Sequence, residues 1–126
     1  MSFIDDALQN ITSGEDFVEA MADIYSNPDV RDQLKNYPKW IRNIITIIDY
    51  DTDLTMEGLD FKLYTEEISA LISVGLVSEA NLLASISEKS TDEDLAKCYS
   101  QLALNNDYDA FWNAVYSYAS NNLEIR

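Results

Sequence analysis

The chain has 126 residues, 23 acidic against 8 basic residues, no His and one Cys, which gives a net charge of −15. A surface this negative repels nucleic acid and anionic lipid, so we predict neither a direct nucleic-acid partner nor a membrane partner. A lone Cys excludes an internal disulfide, and the first residues lack the basic and apolar runs of a signal peptide, so we expect a cytoplasmic protein. Three Gly and two Pro are too few for most β architectures. We therefore predict one all-α domain over residues 1–126, a compact bundle of about seven to nine short helices.

Two pairs of capping residues predict helices near the N-terminus. Ser2 with Asp5, and Ser13 with Asp16, place side-chain oxygens where they accept hydrogen bonds from the exposed N–H groups of a first helical turn. The second of these helices carries an apolar stripe at helical spacing, formed by Phe17, Ala20, Met21 and Ile24.

Residues 29–42 are the only net-positive part of the chain. Asn27 is expected to cap a helix whose first residue is Pro28. The segment contains more bases than acids, with Arg31, Lys35, Lys39 and Arg42 against Asp29 and Asp32. Because most of the surface is acidic, we expect internal or inter-subunit ion pairs here, and a phosphate site is the alternative.

Residues 40–64 join the most apolar run of the chain to its densest group of acids. Apolar residues at positions 40, 41, 44, 45 and 48 follow the period of a buried helix, with Asn43 and Thr46 on its polar face. We expect Pro38 to open this helix and the helix to fray between Tyr50 and Asp53. A short buried strand is the alternative, because β-branched Ile also suits a strand.

The second half of the chain contains signals for further helices. One is expected at residues 54–64, where Gly58 would kink the helix or admit a close backbone contact. Thr65 and Ser78 are expected to cap the next two helices, and Gly75 is expected to end the first of these in the left-handed conformation.

The last two helices are predicted from their capping residues. Thr91, three residues before an Asp, begins the first of them, and Asp107 begins the second after a break at Asn105 and Asn106. We expect residues 121–126 to fray, since nothing in this stretch ties down the end of the chain.

The acids after the apolar run have a spacing that is similar to a calcium loop. Asp49, Asp51 and Asp53 alternate, and Asp60 stands at the twelfth position, as in an EF-hand. However, Leu54 stands where that loop requires Gly for its sharp turn, and the last ligand is Asp rather than a bidentate Glu. We therefore interpret the acids as a helix terminus, with calcium binding as an alternative.

The candidate functional residues are contacts for a protein partner. We predict no catalytic residue, metal ligand or cofactor, because the chain lacks His, a Gly-rich phosphate loop and a nucleophile elbow. Carboxylates held on rigid helices would meet the partner, and these are Asp49, Asp51, Asp53, Glu57, Asp60, Asp16, Glu19 and Asp23. Tyr108, Trp112 and Tyr116 share a helical face and form a predicted aromatic anchor. The alternative is an acidic surface that only keeps the protein in solution.

Residues 44–88 resemble a bacterial domain family that was first catalogued as a domain of unknown function and includes a DNA-mimic protein. In that family an acidic residue precedes a segment of the type N-G-G-F-x-Q-[YF]-[FY], which is followed by an apolar helix and an alanine-rich helix. The matching stretches here are MEGLDFKLY at residues 56–64 and ISALISVGLVSEANLLASI at residues 68–86. Gly58 replaces the double Gly, Leu59 replaces the Phe, and the Gln is missing. The resemblance implies an all-α fold and, for at least one member, a dimer whose acidic face occupies the DNA site of a transcriptional repressor.

The function expected from this pattern is that of a non-enzymatic acidic protein, a DNA mimic that binds a basic DNA-binding protein such as a repressor or a nucleoid-type protein. A homodimer is compatible with the resemblance. One alternative is an immunity or inhibitor protein that neutralises a toxin or nuclease and uses aromatic hot spots as well as charge. The further alternatives are a calcium-binding module and an enzyme.

Overall fold

The fold is all-α, as predicted: a computed structural model that describes residues 2–125 is 79% helical and contains no strand among those residues. The α-helices are α1 (Phe3–Asn10), α2 (Gly14–Met21), α3 (Lys39–Glu57), α4 (Thr65–Val74), α5 (Val77–Ala84), α6 (Asp92–Gln101) and α7 (Tyr108–Ile125). The first, second and third 3-10 helices are Ala22–Ser26, Pro28–Asn36 and Ala103–Asn105. Within residues 2–125, none of the helices combines the length and the hydropathy that a membrane span requires.

The core forms around α3, whose inward side is built of isoleucines. Ile41, Ile44 and Ile47 are fully buried and belong to one cluster with buried residues of α2, α4 and α7. α4 packs against α3, and α5 packs against α4. The apolar period of residues 40–48 thus produces the predicted buried helix, and the strand alternative is wrong.

α2 lies directly on α7, and Gly14 is the point of closest approach. The backbone N–H of Gly14 donates to the Ser120 hydroxyl at 2.9 Å. A Cβ at position 14 would overlap the carbonyl oxygen of Tyr116 and would lie 2.7 Å from the backbone nitrogen of Ser120. Glycine is therefore required here because two backbones approach each other.

Several predicted helix ends are confirmed. Ser2 with Asp5, and Thr91 with Asp94, each form a reciprocal capping box, so both orphan N–H groups at the helix start have acceptors. Gly75 ends α4 with φ of 96° and ψ of 8°, the left-handed conformation that favours glycine.

The helix predicted to begin at Pro28 after Asn27 does begin there, but it is a 3-10 helix. α2 ends at Met21 and is followed by the first and second 3-10 helices rather than by an α-helix that starts at Pro28. Asn27 precedes the second 3-10 helix as predicted, but its side chain makes no capping hydrogen bond to it. Its side-chain amide instead donates to the carbonyl oxygen of Asp23 at 2.9 Å, so it closes the preceding turn.

The predicted break within residues 50–53 is also wrong. α3 continues to Glu57 and ends at Gly58, whose φ of 74° and ψ of −161° are accessible only to glycine. Residues 58–64, predicted as helix, have no regular structure. The helix persists because Leu54 is buried in the core and because two of the acids in its last turns have partners, described below.

Three further details differ from the sequence prediction. α4 and α5 begin at Thr65 and Val77, so Thr65 and Ser78 lie inside the helices and neither helix start has a side-chain cap. Residues 121–125 continue α7 instead of fraying, since the buried Leu123 anchors them, and residue 126 lies outside the described residues. Asn43, predicted on a polar face, is buried and donates to the Tyr118 hydroxyl at 3.0 Å.

Candidate protein-interaction surface

The five acids predicted at residues 49–60 do not share one surface. Successive residues of an α-helix are rotated by about 100°, so alternate positions lie on opposite sides of the helix. Asp49 and Asp51 therefore leave α3 in different directions. The single acidic face expected from the sequence is divided, and the acids of α3 have different surroundings.

Asp49 is held by groups from the first and second 3-10 helices. Arg31 Nη1 and Nη2 each donate to one oxygen of the Asp49 carboxylate at 2.9 Å, and the Tyr25 hydroxyl donates to Oδ1 at 2.6 Å. Burial opposes ionisation of this carboxyl, but the hydrogen bonds from Arg31 and Tyr25 outweigh it and lower the pKa of Asp49 below 3.8. The ion pair expected in residues 29–42 is confirmed for Arg31. The Asp49 carboxylate is part of this internal pair, so it is not free to contact a partner protein.

We expect Asp49→Asn to lower the free energy of unfolding by about 1 kcal/mol at neutral pH, because the pair with Arg31 is bidentate but half exposed. A carboxyl whose pKa is lower in the folded state stabilises the fold above its unfolded pKa, and this contribution is lost as the pH falls through the folded pKa. Urea unfolding of both proteins should therefore give stabilities that converge as the pH falls below 3.8. Lys35→Gln, an exposed change on the same 3-10 helix, is the control and should show no such difference.

Asp51 lies on the α7 side of α3. Its Oδ2 accepts a hydrogen bond from the Tyr108 hydroxyl at 2.9 Å. Burial raises the pKa of Asp51, and the Tyr108 hydrogen bond only partly offsets this effect. Asp51 is thus half buried at one end of the predicted aromatic anchor, and it is not part of an open sheet of charge.

The remaining acids of this group surround a small cleft at the end of α3. Asp53, Glu57 and Asp60 are exposed and line a cavity of about 170 Å³ together with Glu67. Lys62 lines it as well, with its Nζ 3.8 Å from Asp53 and 3.7 Å from Glu67. The cleft therefore already contains one cation of the chain.

The loop that calcium binding requires is absent, because Asp49, Asp51 and Asp53 are helical. An EF-hand wraps alternate oxygens around one ion, whereas a helix directs alternate side chains apart. In residues 2–125 no group of three or more Asp, Glu, Cys or His side chains is arranged to hold a metal ion. The lone Cys98 is buried, with its Sγ 3.4 Å from the carbonyl oxygen of Leu82.

Tyr108, Trp112 and Tyr116 form a continuous aromatic row along α7. The rings of Tyr108 and Trp112 meet edge to face with centroids 6.4 Å apart, and those of Trp112 and Tyr116 stack at 6.2 Å. All three side chains are half buried. Trp112 also packs edge-on against the buried Phe111 at 5.3 Å, which fixes the row to the core.

Carboxylates border this aromatic row. Burial raises the pKa of the Tyr116 hydroxyl, and the negative charges of three nearby acids raise it further. Those acids are Glu15 and Glu19 on α2 and Asp109 on α7. With Asp51 at the Tyr108 end, we call these four residues the acidic rim: Glu15, Glu19, Asp51 and Asp109.

Two of the predicted acids of the N-terminal region, Asp16 and Glu19, lie on the exposed side of α2. Phe17, Val18 and Met21 face the core, while Asp16 and Glu19 are exposed on the opposite side of the helix. Asp23 is exposed in the first 3-10 helix that follows. Sequence reasoning did not select Glu15 or Asp109. The signal for Glu15 was its position four residues before Glu19, on the same face of a helix.

Comparison with protein-family models, with curated proteins and with solved structures gives no match.

Proposed function

We propose that the protein is a non-enzymatic, acidic interaction protein that binds a basic, nucleic-acid-binding protein. The observation that carries the proposal is the half-buried row of Tyr108, Trp112 and Tyr116 with carboxylates near both of its end residues. Tyr and Trp are enriched in the centres of protein interfaces, where charged residues are depleted and a polar rim surrounds them. A rim made of carboxylates favours a partner with a Lys- and Arg-rich surface.

DNA mimicry is the specific form of this proposal. Glu15, Asp16 and Glu19 stand on one exposed side of a rigid helix, and Asp23 follows. Carboxylates held in this way replace backbone phosphates as partners for the basic residues of a DNA-binding site. The net charge of −15 supports the proposal, since it steers a cationic partner toward the protein over a distance. A homodimer is part of the proposal only through the family resemblance.

An inhibitor or immunity protein that neutralises a toxin or nuclease is the second candidate. The aromatic row favours it, because Trp and Tyr residues are the usual hot spots of tight inhibitor complexes. The two candidates differ in which residues supply the affinity. In a mimic of DNA, charged residues supply most of the affinity. In an inhibitor that binds the partner's active site, an aromatic residue contributes at least as much affinity as the charges do.

The test is a pull-down from the source cell at low salt, followed by affinity measurements on the partner that elutes as salt rises. We expect Glu15→Lys with Glu19→Lys to weaken binding by roughly tenfold or more, because two like-charge contacts replace two favourable ones. The affinity of the unchanged protein should fall steeply with salt. If the protein mimics DNA, Trp112→Ala should reduce the affinity for the partner less than the double charge reversal does.

The matched control reverses two exposed acids elsewhere, Glu88→Lys with Glu93→Lys, which changes the net charge equally. Equal losses in both double variants would mean that the total charge matters and that the acidic rim does not. A salt-independent affinity would contradict the proposal altogether. A loss of roughly thirtyfold in Trp112→Ala, with an unchanged melting temperature, would favour the inhibitor instead.

A further inference from the structure

A second cleft of this molecule has the opposite character from the acidic rim. It has a volume of about 470 Å³ and lies between the second 3-10 helix, the first half of α3 and the start of α4. Pockets for small molecules have volumes of roughly 300–1,000 Å³, so the cleft is large enough for one. The cleft lies on α3, whereas the aromatic row lies on α7.

Three of the eight basic residues in the chain line this cleft, which we call the basic cleft: Arg31, Lys39 and Arg42, with Leu34, Asn43 and Ile45. Arg31 already forms an ion pair with Asp49. No carboxylate of residues 2–125 lies within ion-pair distance of Lys39 or Arg42, and both side chains are exposed. They are therefore available to a ligand.

The spacing of these two cations suits one anionic group. Lys39 and Arg42 are three residues apart on α3, so their Cβ atoms lie about 5–6 Å from each other on one side of the helix. An Arg side chain donates two parallel hydrogen bonds to a phosphate or carboxylate, and a Lys ammonium adds a point charge. Glu66 is the one further acid that lines the cleft besides Asp49.

The lining of the basic cleft is partly apolar. Ile45 is almost fully buried and Leu34 is half buried, and both line the cavity. Asn43 is fixed beside them by its hydrogen bond to the Tyr118 hydroxyl. An anion that is fully polar would leave this apolar surface in contact with water. The cleft is therefore better matched by an anionic head attached to an apolar body.

We propose that the basic cleft binds a small organic anion, with its phosphate or carboxylate head at Lys39 and Arg42 and its apolar part against Leu34 and Ile45. The overall negative charge does not prevent this, because solvent-exposed charges farther away than about 8 Å are largely screened at physiological salt. The site is independent of the partner-binding surface proposed above.

The test is an NMR titration of the isotopically labelled protein, in which the amide chemical shift of each residue is monitored. Phenyl phosphate is the probe, and inorganic phosphate and phenol represent its two parts. We expect phenyl phosphate to give saturable shifts confined to amides near residues 31–49 and 65–69, with tighter binding than either part alone. Absence of saturation at millimolar phenyl phosphate, or shifts that map to other surfaces, would overturn the proposal. So would equal affinity for inorganic phosphate, because the apolar lining residues would then play no part.

A pair of double variants separates the cleft from general charge effects. Lys39→Gln with Arg42→Gln should weaken phenyl phosphate binding by roughly tenfold or more, since the charge-assisted hydrogen bonds to the head are removed. Lys89→Gln with Lys97→Gln removes the same charge from exposed positions elsewhere and should leave the affinity unchanged. Equal weakening in the two variants would contradict a specific site.

Discussion

Replacing Gly14 with Ala is expected to lower the free energy of unfolding by about 3 kcal/mol or more. The added methyl group would overlap the backbone carbonyl oxygen of Tyr116, and a backbone cannot move aside as the end of a flexible side chain does. α2 would have to shift away from α7, which would also break the hydrogen bond from Gly14 to Ser120. Urea unfolding followed by Trp fluorescence measures this change.

The sign of the result makes the test decisive. Ala is intrinsically more favourable than Gly in a helix by up to about 1 kcal/mol, so the substitution would stabilise the protein if the two helices were farther apart. A stability equal to or above that of the unchanged protein would therefore contradict the close approach. Thr12→Ala, an exposed change just before α2, is the control and should alter the stability by less than about 0.5 kcal/mol.

The second large effect is expected at Glu79, a carboxylate that is only 7% exposed. It accepts hydrogen bonds from the Tyr50 hydroxyl at 2.6 Å and from the backbone N–H of Ala103 at 3.0 Å. Glu79→Ala would leave the buried Tyr50 hydroxyl and the half-buried N–H of Ala103 without their acceptor and would open a cavity. We expect a loss of about 3–5 kcal/mol in the free energy of unfolding.

Glu79→Gln should lower the free energy of unfolding by less, about 1–2 kcal/mol, because the amide oxygen of Gln still accepts one of the two hydrogen bonds. Burial and the charge of Glu79 both raise the pKa of the Tyr50 hydroxyl, so this hydroxyl remains a donor at all ordinary pH values. Tyr50→Phe combined with Glu79→Ala completes a double-mutant cycle, and additive losses would contradict a direct interaction. Glu88→Ala, at an exposed position, is the control.

The parts of the fold that were predictable from the sequence depend on neighbouring residues. The capping boxes at Ser2 and Thr91 involve side chains and N–H groups only three positions apart, so a short window contains all the information. The apolar period of α3 is equally local. These signals were sufficient for the all-α class and for the aromatic row on α7.

The errors arose where a distant residue determines the outcome. Asp49 and Asp51 were expected to mark the end of a helix, but Arg31, Tyr25 and Tyr108 stabilise them from other elements. No local pattern indicates these partners, which lie 18, 24 and 57 positions away along the chain. The same is true of the buried Glu79, whose partners become evident only when the helices are assembled.

The pairing of α2 with α7 has a consequence for how the chain folds as it is synthesised. Gly14 and Ser120 are 106 positions apart, so the N-terminal helices leave the ribosome long before their partner exists. At a translation rate of about 5–20 residues per second, this delay is roughly 5–20 s. During that interval the apolar side of α2, with Phe17 and Met21, has no α7 to cover it. The nascent chain therefore exposes an apolar surface that other proteins, including chaperones, are able to bind before the last helix is synthesised.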